Sequence, residues 1–266
     1  MINSTGIISS QWDKSALDFI SAVGLTTQSH RLAIQYLVQQ LKVKGLWTKM
    51  KVIYPFIGGT ATTHRYNLKN PQLTTGAFAI TFTGTWTHNA NGITGNGTNN
   101  LADTNFNPRT NLTNATSVSH GCYIRATANN GILGGANNSA VGSAQNYLYI
   151  STNGTSTFSG TLDSEALSFF TITPSTYAGF VCMNRTSGTN IRAYHNGTKL
   201  LDTTNALTNS PNFNYYIGSR NSAGTAANYS TANIAFYYIG DTLTDTDASN
   251  MYSIIQQYQT ILTRQI

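Results

Sequence analysis

The chain has 266 residues, enough for one large core, and carries a formal charge of +6. Only 9% of its residues are charged, while 40% are hydrophobic and 11% aromatic, which excludes a disordered chain. No apolar run reaches the length of a membrane span, so membrane insertion is not expected.

The excess charge is local. Residues 1–70 hold Lys14, Arg31, Lys42, Lys44, Lys49, Lys51, Arg65 and Lys69 against only Asp13 and Asp18. No nucleic-acid module frames these bases, so the segment reads as a basic surface or attachment face, with no nucleic-acid partner. The start, MINSTGIISSQWDKS, lacks the basic and apolar regions of a signal peptide.

In chain order, residues 13–24 predict a helix with Asp13 or Ser15 as N-cap and Gly24 as its stop. Residues 27–45 predict a second helix, with Ile34, Leu37, Val38 and Leu41 on one face. The two form a helical hairpin, and residues 1–50 are taken as an attachment or packing element. From Trp47 onward the pattern changes. Segments 51–59, 76–89, 117–127, 146–152, 177–185, 190–197, 214–220 and 232–243 are rich in aromatic and β-branched residues and are separated by Gly, Asn and Ser. Asn-Gly recurs at 91–92, 96–97, 130–131, 153–154 and 196–197, the pair favoured by two-residue hairpins. Short strands with such turns predict a mainly β sandwich or jelly roll over residues 51–266. Thr244 and Asp247 predict a capping-box start for a last helix. Its residues Met251, Ile255, Tyr258 and Leu262 form one stripe, suited to packing on the sheets or to a short oligomer seam.

Catalytic patterns are sparse. The single Glu, Glu165, lies near Asp163 in a loop-like segment, with no paired acids on one strand face. Asp241, Asp245 and Asp247 suit the N-terminus of the last helix. His30, His64, His88, His120 and His195 show no zinc spacing. Calcium could be held only by loop groups such as Asp103 and Asp202, too few to predict a site, so neither cofactor nor metal is expected. Cys122 and Cys182 each lie in an apolar run and read as buried free thiols, although pairing is open. The remaining chemistry is binding. Trp86 and His88 share one strand face beside a loop, and with Asn89 they form the candidate glycan-binding set.

Two stretches carry a resemblance. FVCMNRTSGTNIRAYHNGTKL, NYYIGSR and the last strand and helix resemble concanavalin A-like (laminin G-like) jelly rolls. Residues 41–71, with FTGTWTHNANGITGNGTNNLADTNFNP, are similar to structural and tail-fibre-like proteins of tailed bacteriophages. The resemblance implies a concanavalin A-like β-sandwich preceded by a helical hairpin and closed by a C-terminal helix. It further implies a non-enzymatic virion component, assembled in the host cytoplasm, trimeric as phage fibres commonly are, attached to other virion proteins through its basic N-terminal region. Contact with host surface polysaccharide is the expected role. The alternatives are a purely architectural capsid, collar or tail part, and a polysaccharide-degrading enzyme in which Glu165 is the first residue to mutate.

Overall fold

In the computed structural model, the structure describes residues 12–126, 131–138, 147–153, 157–164, 170–174, 176, 178–204, 206–207 and 209–266. The chain opens with α1 (Lys14–Val23) and α2 (Gln28–Val43), followed by β1 (Met50–Tyr54), β2 (Thr81–Thr83), β3 (Trp86–Asn89), β4 (Gly92–Gly95) and β5 (Leu101–Asp103). Then come a single turn of helix, α3 (Pro108–Asn111), and β6 (Val118–Ala126), β7 (Ile132–Asn137), β8 (Tyr147–Asn153), β9 (Thr157–Ser164) and β10 (Phe170–Ile172). The remainder is β11 (Gly179–Arg185), β12 (Asn190–His195), β13 (Thr198–Thr204), β14 (Tyr216–Ile217), β15 (Arg220–Ser222), β16 (Thr225–Ala227), β17 (Asn233–Gly240) and α4 (Asp245–Ile261).

The helices form for the reasons the sequence offers. The Asp13 side chain accepts from the Ser15 backbone, and Gly24 closes α1 at φ 72°. Ile34, Leu37, Val38 and Leu41 are all buried. At α4 the capping box is complete: Thr244 accepts from the Asp247 backbone at 3.1 Å, and Asp247 accepts from the Thr244 backbone at 2.9 Å. Thr244→Ala is expected to cost about 1 kcal/mol, which thermal denaturation would read as a drop of roughly 2–4 °C.

Among the described residues the strands make two sheets. Sheet I runs β13-β12-β11-β6-β17-β4-β3, with β1 also on β17. Sheet II runs β10-β9-β8-β7-β14-β5-β2, with β15 joined to β7 and β16 to β15. Alternation along the strands of sheet I serves two cores. Val118, Cys122, Ile124, Val181, Ile191 and Tyr237 face sheet II and meet Leu133, Ile150, Phe158, Leu162 and Ile217. Tyr123, Phe180, Cys182, Tyr194, Phe236 and Tyr238 face the other way and are covered by α1, α2 and α4.

This arrangement corrects the expected concanavalin A-like jelly-roll sandwich. The fold is mainly β, but it has three layers: helices from both ends of the chain, then sheet I, then sheet II. Sheet II is mixed, because β15 runs parallel to β7. Register shifts interrupt the pairings of β1 with β17, β12 with β13, β17 with β6, β7 with β8, and β8 with β9. Each extra residue bends its strand, so the sheets are curled rather than regular. The motif NYYIGSR is not one strand: Gly218, at φ 77°, separates β14 from β15.

The oligomer seam is also corrected. Met251, Ile255 and Tyr258 are fully buried in the helix-covered core, so the stripe on α4 is spent within the chain. Four of the eight bases of the N-terminal segment form ion pairs within the chain. Lys14 pairs with Asp18, Lys42 with Asp13, Lys49 with Asp247 and Lys51 with Asp241, all at 2.6–2.9 Å. No helix among the described residues is long and apolar enough to cross a membrane.

Candidate functional site

Strands β2 and β3 are the terminal strands of sheets II and I at one common edge. The chain crosses between them at Gly84, whose φ is 77° and whose Cβ position lies 2.0 Å from the Asn99 carbonyl oxygen, so only glycine fits. The crossing brings Phe82 and Trp86 together edge-to-face, with ring centroids 5.5 Å apart. Trp86 closes the joint between the sheets. Its Nε1 donates to the carbonyls of Thr83 at 3.1 Å and Leu101 at 3.3 Å. The indole lies so close to Gly218 that a Cβ there would stand 2.3 Å from the ring.

His88 follows on the same face of β3, as alternation predicts. It meets Phe82 edge-to-face at 4.6 Å and Trp86 at 6.4 Å. Trp86 and His88 are half-buried, whereas Thr87 and Asn89 are exposed on the other face. The structure therefore joins Trp86 and His88 and sets Asn89 apart at the mouth of the β3–β4 hairpin, where its Oδ1 accepts from the Asn91 backbone at 2.8 Å. Sequence reasoning missed His64. It sits in a short 3-10 turn at Thr63–Arg65, is only 1% exposed, and places its Nδ1 3.0 Å from the Nδ1 of His88. Burial lowers both histidines' pKa, that of His64 to about 3 with added repulsion from His88 and Arg264. The 24-residue gap between the two leaves no signal in the sequence.

The other candidates are dispersed. His120 is buried between the sheets, in a chain of hydrogen bonds that runs to the Tyr215 hydroxyl at 2.7 Å and on to the Tyr237 hydroxyl at 2.6 Å. His195 is buried with its Nε2 3.1 Å from the Ala178 carbonyl. Cys122 and Cys182 lie on adjacent strands but in opposite cores, so they stay free thiols. Asp202 and Asp245 share Lys199 and Arg192; hydrogen bonds from Lys199 and Asn190 lower the pKa of Asp202, those from Tyr194 and Lys199 lower that of Asp245, and Arg192 adds to both. Asp103 lies on sheet II, away from Asp202 on sheet I, and accepts from the Asn105 backbone. Among the described residues no group of three or more His, Cys, Asp or Glu side chains could hold a metal. Glu165 and the side chain of Asp163 lie outside the described residues. An open polar groove of about 560 Å³ lies between α1 and residues 69–72, with Lys14, Ser21, Lys69 and Asn70 among its lining.

No family model matches the sequence, and no curated protein does. Solved structures do resemble it. A mutant of Trypanosoma rangeli sialidase displaying trans-sialidase activity matches over 86% of this chain and 39% of its own, at 12% identity and a TM-score of 0.53. Domain 4 of AbnA, a GH43 extracellular arabinanase from Geobacillus stearothermophilus, matches over 77% of this chain and 98% of its own, at 14% identity and a TM-score of 0.46. The NanB sialidase from Streptococcus pneumoniae matches over 54% and 25%, at 14% identity and a TM-score of 0.44. The chain spans between a quarter and two-fifths of the length of these sialidases. At this identity the likeness is one of fold, and the T. rangeli sialidase carries it.

These matches correct the phage reading. The Trypanosoma rangeli sialidase whose fold this chain shares is a carbohydrate-active enzyme, not a fibre or capsid protein. The virion location, the virion partners, the fibre trimer and the non-enzymatic structural role all rested on that resemblance and fall with it. The expected absence of catalysis also rested on the missing acid pair, yet Glu165 is outside the described residues.

Proposed function

We propose that this protein is carbohydrate-active, of glycoside-hydrolase type, and that the chain holds the glycan at the corner of Trp86 and His88. The observation that carries the reading is the half-exposed Phe82–Trp86–His88 cluster, pinned at the joint of the two sheets. An aromatic face held in this way offers an apolar surface to a sugar ring at little entropic cost. The half-buried His88 imidazole on the same face supplies a hydrogen bond to one of its oxygens. The fold shared with the T. rangeli sialidase supports the same class.

Titration with a panel of sialylated and neutral oligosaccharides, read by tryptophan fluorescence and calorimetry, tests the reading. His88→Ala is expected to weaken binding about tenfold, or ~1.4 kcal/mol, whereas Asn89→Ala, on the other strand face, should leave it unchanged. The melting temperature of Asn89→Ala should stay close to that of the parent. Reducing-end release from the same panel reads hydrolysis, and Glu165→Gln separates it from binding. Silence in both assays across the panel overturns the proposal.

A further inference from the structure

The two facing Nδ1 atoms of His64 and His88, 3.0 Å apart, need one proton between them. Two would collide, and none would oppose two lone pairs. A cationic pair is disfavoured. His64 is buried against the Phe56 ring, His88 packs on Phe82 and Trp86, and the charged group acting on His64 is the Arg264 guanidinium. Each ring then carries one hydrogen, and two tautomeric arrangements remain.

The far nitrogen of His64 decides between them. His64 Nε2 is buried and has no hydrogen-bond partner. If His64 accepted at Nδ1, this Nε2 would carry a hydrogen with nothing to receive it. Buried orphan N–H groups are rarer than orphan acceptors. His64 therefore donates from Nδ1, and His88 accepts at Nδ1 and bears its own hydrogen on Nε2.

We infer that His64 is a positioning residue that fixes His88 as an Nε2–H donor, so that the corner selects ligands presenting an oxygen acceptor. A sugar hydroxyl, carbonyl or carboxylate oxygen meets that requirement, and a ligand N–H does not. The selectivity rests on the reading that His88 touches glycan, whereas the tautomer does not.

Long-range proton–nitrogen NMR of the full chain without ligand tests the tautomer. His64 should show the Nδ1–H pattern and His88 the Nε2–H pattern; the reverse assignment, or Nε2–H on both rings, overturns the inference. Titration with 3′-sialyllactose, which presents all three oxygen types, tests the consequence. His64→Asn places an amide N–H where the Nδ1–H stood, and should keep the His88 pattern and hold affinity within about twofold. His64→Leu should release the ring and lower affinity about fivefold or more. Equal affinity in His64→Leu and His64→Asn overturns the positioning role. Assigned tautomers with no binding of 3′-sialyllactose count against the glycan reading and leave the tautomer supported. Reversed tautomers with binding intact count against the inference alone.

Discussion

Arg264→Ala is expected to remove about 3–5 kcal/mol of stability. Arg264 is fully enclosed, 2% exposed, three residues beyond the end of α4. Its guanidinium donates to five oxygens and to no carboxylate among the described residues. Nε reaches Gln259 Oε1 at 2.6 Å, Nη1 the carbonyls of Phe56 and Ala90, and Nη2 those of Pro55 and Ala235, at 2.8–3.0 Å. The segment after β1, the β3–β4 turn, β17 and α4 all converge on this one group. A charged donor makes each bond stronger than a neutral one would be, and the delocalised fork reaches oxygens in several directions. Its loss strands buried acceptors. Arg264→Met should recover little, because it restores volume without donors. Arg264→Lys should recover part, because an ammonium has three hydrogens for five acceptors. Urea denaturation of the three variants checks this order, and an Arg264→Ala within 1 kcal/mol of the parent would refute it.

The same contact shows what sequence can and cannot convey. Helices α1, α2 and α4 were legible because their signals are local: Asp13 and Gly24 as caps, the Ile34–Leu41 stripe, and the box at Thr244 and Asp247. The Asn196-Gly197 turn was legible for the same reason, and both residues take positive φ, 48° and 77°. Strand parity was legible too, since Tyr237 and Tyr238 do face opposite cores. Which core each face meets was not. Tyr194 lies under the helices, and its neighbour His195 is the one that faces Phe158 of sheet II. Strand β7, ILGGAN, is buried throughout yet carries two glycines, because Gly134 must admit Tyr237 and Tyr215 within 3 Å of where its Cβ would be. No periodicity reports that demand. The jelly-roll resemblance failed for a related reason: short motifs such as NYYIGSR constrain a turn and not the sheets around it. At the site, period-2 alternation placed Trp86 beside His88, while His64 and Gly218 arrive only through tertiary folding.

Acid is expected to destabilise the chain well above the pH at which carboxylates protonate. Burial is the main cause that holds both His64 and His120 at a pKa of about 3 in the folded state, and the nearby charges of His88 and Arg264 add to it at His64. In the unfolded chain each returns to about 6.5. Between pH 6.5 and pH 3 the unfolded state therefore binds protons that the folded state refuses. Stability is at its full value above pH 6.5 and falls as pH drops through that window. Well inside it, two such groups together give a slope of about 3 kcal/mol per pH unit, so lowering the pH from 6.5 to 4.5 costs roughly 5 kcal/mol. That is a large part of the 5–15 kcal/mol typical of a folded domain. His30, His88 and His195 shift in the same direction and add to the loss. His120→Leu separates the contributions. It removes one titration and leaves Tyr215 bonded to Tyr237, so the slope should fall to about half. His64→Asn should halve it as well, and the double variant should leave only the weaker remainder. Urea midpoints at pH 7.5, 5.5 and 4.5 provide the measurement, and a parent chain equally stable at all three would refute the assignment. The protein then loses the Trp86–His88 corner and its fold together, because the histidine that positions His88 is also one whose protonation the fold cannot accommodate.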